Sequence, residues 1–262
     1  MARITVTQLR SACLDPEWIE RWMSDLANSV RSPRRNFSRE VPRSRFCQII
    51  AMFTAWLAGS VNQRASAKIK SPSQLWDALW NTVGRDELLE LTRSGAVREA
   101  DHLCQALQNW CKHLSSLRRP NQKSWSEILL TAEYQLGHVS VPTEYGEIIV
   151  AGRPEAVRLE SQGPVVVDYK ISRDSNPDAD FLQTIIYARL LQLRYSKLGF
   201  TAQLEYYEPE LHFVRRDPQE VRASFERLVF PALSRIAKKM RRSETDPGKT
   251  RLDNDLEPTS GG

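Results

Sequence analysis

The apolar period of this chain changes once, and that change sets what it can fold into. Up to "RRPNQKSW", which ends at Trp125, apolar residues recur at three- and four-residue steps, the period of helices with one buried face. From about Ile128 they come in short runs punctuated by Pro142, Gly146 and Gly163, as in strands joined by tight turns. Helices followed by strands, with further helices between and after the later strands, place the chain in the mixed α/β (α+β) class. The expected layout is a helical region over 1–124, a core over 125–242, and a polar, Pro/Gly-rich tail over 243–262 expected to be disordered.

Within the first region, "DPEWIERWMSDLANSV" starts with Asp15 as N-cap and Pro16 at the first helical position. "FCQIIAMFTAWLAGSV" is apolar nearly throughout and reads as a buried helix ending near Gly59. "SPSQLWDALWNTV" opens on a Ser/Pro cap and sets Trp76 and Trp80 one turn apart, a spacing that belongs to core packing. In the second region "ILLTAEYQLGHVSVP", "GEIIVAGRPEAVRLES" and "GPVVVDYK" read as three successive strands of an antiparallel meander. A helix over "ADFLQTIIYARLLQLRYSKLG", strands over "TAQLEYYE" and "ELHFVRR", and a last helix from Asp217 follow.

The net charge of +5 suits a polyanionic partner, and the positive charge is clustered. Nine Lys and Arg lie between Arg31 and Lys70 against the single acid Glu40, and "RIAKKMRR" forms a second run. Arg34, Arg35, Arg43 and Arg45 in the first, with Lys238 and Lys239 in the second, are the candidate phosphate contacts; a solvated helix face is the alternative. Cys13, Cys47, Cys104 and Cys111 form no CxxC pair, which argues against zinc and for free thiols in a reducing cytosol. The N-terminus has no secretory h-region and no apolar run reaches about 18 residues, so a cytoplasmic protein without a membrane span is expected.

Chemistry concentrates at the end of "VVVDYK". Asp168 and Lys170 are two apart on a strand and share a face, and a neighbouring strand can bring Glu155 beside them. Two carboxylates and a lysine on one face can hold a hard divalent cation near a phosphodiester. They can equally be a salt-bridged sheet edge. Gln183 and Tyr187, four apart on the following helix, lie one turn apart on one face.

In this order, "RPE", "DYK" and "QTIIY" resemble the signature of the PD-(D/E)XK nucleases, in the RecB-like branch that carries a QxxxY element. The matching part runs from about Glu133 to Leu191, and "ITVTQLRSACLDPEWIERWM" is weakly similar to the opening element of that branch. The resemblance implies a restriction-endonuclease-like core, a central mixed sheet flanked by helices. It implies a DNA nuclease dependent on Mg²⁺ or Mn²⁺, with Glu155 and Asp168 as metal ligands, Lys170 as catalytic lysine, and Gln183 and Tyr187 in support. Members of the branch serve DNA processing and antiviral defence, often beside a helicase or other ATPase. The chain has no GxxxxGK(S/T) phosphate loop of its own, so an ATP-driven step would come from a partner.

Three departures stand beside the match. Glu155 occupies a position where the branch carries Asp, which moves the carboxylate by about 1.5 Å. "VPRSRFCQII" lacks the histidine of the branch's N-terminal helix, and no cysteine follows Cys111, so no iron–sulfur cluster is expected. A catalytically weak or inactive nuclease-fold subunit, serving as a DNA-binding or assembly scaffold, is the competing expectation.

Overall fold

The computed structural model describes residues 2–22, 45–118, 124–132, 136–171 and 177–245. The chain is mixed α/β, with helices packed around two sheets. It opens with a strand, β1 (Ala2–Thr5), where helix alone was expected, and α1 (Val6–Leu14) follows directly. Thr5 caps α1 reciprocally with Gln8, each main-chain N–H donating to the other's side chain. Asp15 closes α1, and its side chain also accepts the Glu17 N–H at 2.9 Å, so the next helical turn starts at Trp18.

The helical region contains α2 (Arg45–Ala58), α3 (Pro72–Leu79), α4 (Arg85–Arg93) and α5 (Val97–Leu117). Ser71 accepts the Gln74 N–H and Pro72 takes the first turn of α3, the cap expected from "SPSQ". Trp76 and Trp80 are half-buried against the core, their rings 5.9 Å apart.

The expected three-strand meander is five strands divided between two sheets. β2 (Leu129–Ala132), β3 (His138–Thr143), β4 (Gly146–Ala151), β5 (Ala156–Glu160) and β6 (Gly163–Lys170) replace it. The smaller sheet has the order β1-β4-β3, with β1 parallel to β4. The larger runs β2-β5-β6-β7-β8, with β7 (Thr201–Tyr206) and β8 (His212–Arg216). The chain changes sheets over residues 152–155, where Pro154 has no N–H to offer a ladder. Gly152 is needed there for space: a Cβ on it would lie 2.7 Å from Tyr187 Cε1 and 2.8 Å from Val6 Cγ2.

From β6 the chain crosses through α6 (Pro177–Arg194) to β7, which lies parallel to β6. After β8 come α7 (Pro218–Ser224), a single π turn, and α8 (Phe230–Thr245). The larger sheet separates two cores. Val166, Ala202 and Leu204 face α1, α6 and α8, while Val165, Val167 and Tyr169 face α2 and α5. Burial on both faces explains why "VVV" does not alternate with polar residues.

The second core also holds a buried polar cluster. Glu205 accepts hydrogen bonds from Arg158, Gln203 and Tyr207, and His113 Nε2 lies 3.2 Å from its carboxylate. Arg158 reaches Glu160 as well, at 2.9 Å. Burial opposes the Glu205 charge, but Arg158 and His113 outweigh it and hold its pKa well below the usual carboxylate range.

Candidate active site

Strand register builds the site. Ala156 pairs with Val167, so Glu155, one residue before β5, stands across from Asp168 on β6. Glu155 Oε2 accepts the Tyr169 main-chain N–H at 2.7 Å, which fixes its carboxylate at the strand end. The two carboxyls come within hydrogen-bonding reach of each other. Lys170 shares the face of Asp168, as the two-residue strand period requires, and its Nζ lies 3.1 Å from Asp168 Oδ2. The expected convergence of Glu155, Asp168 and Lys170 is present.

α6 covers these strand ends. Gln183 and Tyr187 lie on its inner face within hydrogen-bonding reach of each other, and Tyr187 OH accepts the Arg153 N–H at 3.4 Å. The Tyr187 ring packs onto the bare Cα of Gly152, so the sheet change and the tyrosine depend on one another.

Three further residues complete the cluster. Asp180, one turn before Gln183, places Oδ1 3.6 Å from Lys170 Nζ. Arg10 on α1 donates to Gln183 Oε1 at 2.9 Å and approaches Asp180 Oδ1 at 3.8 Å. Cys47 on α2 donates to the Tyr169 carbonyl at 3.5 Å and contacts Glu155. The Asp180 position is legible from helical spacing, since i and i+3 share a face. Arg10 is 173 residues from Gln183, and only the folded chain brings the two together.

Electrostatically the cluster is short of positive charge. Burial and the neighbouring Asp168 push the Glu155 carboxyl up to about 8, against the pull of the Tyr169 N–H, Lys170 and Cys47. Burial also raises Asp168, with Lys170 opposing. For Lys170 burial disfavours the charge, but Asp168, Glu155 and Asp180 outweigh it and hold the ammonium above its ordinary pKa. Burial raises the Tyr187 phenol as well. Asp180 Oδ2 is buried without a hydrogen bond from any described residue, whereas Asp168 Oδ2 has the Lys170 ammonium 3.1 Å away.

Among the described residues no group of three or more His, Cys, Asp or Glu side chains makes a ready-built metal cage. The arrangement nonetheless suits a magnesium-like ion, which commonly takes one or two carboxylates and keeps several waters. Glu155 and Asp168 would supply the oxygens, with Lys170 now 3.1 Å from Asp168 Oδ2 where the ion would bind.

Of the candidate phosphate contacts, Arg34, Arg35 and Arg43 are outside the described residues. Arg45 pairs with Glu87 at 3.2 Å and Glu90 at 3.4 Å. Lys238 stands over the Tyr145 ring at 5.3 Å, and Lys239 is ion-paired with Glu20. The described members of the set thus have intramolecular partners. No protein-family model matches the chain, and a search of curated proteins finds no match either. No helix among the described residues is long and apolar enough to cross a membrane.

Proposed function

We infer that this chain is a divalent-metal-dependent DNA nuclease with a RecB-like PD-(D/E)XK site, hydrolysing phosphodiester bonds. The observation that carries the reading is the convergence of Glu155, Asp168 and Lys170 at adjacent strand ends, with Gln183 and Tyr187 over them from one face of α6. Glu155 and Asp168 would hold Mg²⁺ or Mn²⁺. The bound ion supplies Lewis-acid polarisation of a phosphate oxygen and lowers the pKa of a coordinated water.

The chain's own groups supply the rest. Lys170 remains charged at neutral pH because Asp168 and Asp180 stand beside it, and so would bring a fixed positive charge to where negative charge develops. Tyr169 N–H orients Glu155, and the Arg10 contact sets the rotamer of Gln183. Tyr187 and Gln183 stand over the strand ends from one face of α6. Action in the cytoplasm on DNA, beside a separate helicase or ATPase in DNA processing or defence, belongs to the same proposal.

One observation favours a second reading. Lys170 is neutralised by Asp168 and Asp180, as an idle nuclease-fold subunit acting as a DNA-binding or assembly scaffold would hold it. Cleavage assays separate the two. The nuclease reading expects Mg²⁺- or Mn²⁺-dependent cleavage of single-stranded or end-containing DNA that chelation abolishes, with Lys170→Ala slower by about a hundredfold or more. Wild-type rates in Lys170→Ala would refute it.

A further inference from the structure

Lys170 stands between two buried acids, and the one on α6 belongs to no motif in the sequence. Its Nζ is 3.1 Å from Asp168 Oδ2 and 3.6 Å from Asp180 Oδ1. Asp180 is 7 % exposed, and its second oxygen, Oδ2, is buried with no hydrogen-bond partner among the described residues. A buried carboxylate oxygen left without a donor is costly, and such a group in a native fold calls for an explanation. Arg10 does not supply one, because its Nη1 faces Oδ1 at 3.8 Å while bonding Gln183 at 2.9 Å.

We propose that Asp180 is a positioning residue that receives Lys170 when a divalent cation takes its place beside Asp168. The inference rests on the nuclease reading of the same site. Without the cation, Lys170 neutralises Asp168. Were a divalent cation held by Glu155 and Asp168, the position Lys170 now occupies beside Asp168 would become repulsive for its ammonium. Lys170 would then leave Asp168, and the other described carboxylate it already approaches is that of Asp180, with Oδ1 at 3.6 Å. The orphan oxygen would become the second acceptor for Nζ, while Arg10 keeps its approach to Oδ1 at 3.8 Å. Lys170 therefore stays charged and near the strand ends through loading. Without Asp180 it must either move to solvent or remain beside Asp168 and oppose the incoming cation.

A double-mutant cycle on cation affinity tests this without reference to turnover. Mn²⁺ binding is measured by calorimetry on wild type, Asp180→Asn, Lys170→Met and the double variant, with circular dichroism confirming that each is folded. The expected result is an affinity about tenfold lower for Asp180→Asn in the wild-type background and changed less than about twofold in the Lys170→Met background. An equal loss in both backgrounds would make Asp180 a direct ligand or a general source of negative potential, and the positioning role falls while the metal reading stands. No loss in either background also overturns it. Absence of Mn²⁺ binding by wild type would remove both the metal reading and the positioning role. A Mn²⁺-loaded crystal structure gives an independent check should Asp180→Asn fail to fold: Nζ is expected nearer Asp180 than Asp168, and the reverse would refute the transfer.

Discussion

Gly152→Ala probes the sheet change on which the site depends. The added methyl would lie 2.7 Å from Tyr187 Cε1, 2.8 Å from Val6 Cγ2 and 3.2 Å from Tyr187 OH. Ordinary carbon contacts need about 3.5–4.0 Å, so the ring and α1 must together yield roughly 1 Å on each side. Val6 and Tyr187 are both in the core, at 0 % and 6 % exposure, and neither has free room to retreat. Overpacking of this kind costs about 1–3 kcal/mol, which for a domain of this size corresponds to a melting temperature lower by about 2–12 °C. Urea unfolding gives the free energy directly. Adding Tyr187→Leu should recover part of the loss, because the rigid ring is one of the two obstacles. Gly152→Ala at wild-type stability, with Tyr187 unmoved in a structure, would refute the packing argument and the placement of Tyr187 with it.

Three further outcomes follow from the charges. Glu205→Gln strands Arg158 in the second core with Glu160 as its remaining carboxylate partner; a loss of about 3–5 kcal/mol is expected in urea unfolding, with much of it recovered by adding Arg158→Met. Glu155, with a folded pKa of about 8 against an ordinary 4.5, binds its proton more tightly when folded, so metal-free stability should rise as pH falls from 8.5 towards 5, by up to about 1.4 kcal/mol per pH unit for one proton. Glu155→Gln should flatten that rise, with Asp168, Lys170, Asp180 and Cys47 around it unchanged; identical pH profiles would refute the burial argument. In cleavage assays Glu155→Ala should abolish activity while Glu155→Asp retains or raises it, and robust cleavage by Glu155→Ala would remove Glu155 from the ligand set.

The strand carrying Asp168 and Lys170 was legible because the two-residue period and the valine run act locally. So was the facing of Gln183 and Tyr187, which needs only a helical turn. The division into two sheets was not. "GEIIVAGRPEAVRLES" has strand character on both sides of Gly152, and what breaks it is the packing of Tyr187 and Val6 from distant segments. Helical periodicity also hid β1, four residues whose strand conformation comes from parallel pairing with β4 more than 140 residues away. Arg10 arrives at the site by the same long-range route.

Among the described residues the larger sheet carries two buried acid clusters, one on each face, and their difference supports the site proposed above. On the α5 face, Glu205 is surrounded by donors from Arg158, Gln203 and Tyr207, and its pKa falls; that cluster stabilises the charged form and ties β5 to β7. On the α6 face, Glu155 and Asp168 are raised, Asp180 Oδ2 lacks a donor among the described residues, and one lysine serves Asp168 and Asp180. A site serving stability alone gains from completing such hydrogen bonds or from apolar replacement. A fold able to satisfy Glu205 so fully leaves the second cluster incomplete at the strand ends, next to the face that α6 covers with Gln183 and Tyr187. Perturbed carboxylates gathered in one place make these strand ends a candidate functional site. A divalent cation would answer the charge deficit there under the proposed function, so metal affinity, measured before any cleavage, is the first experiment.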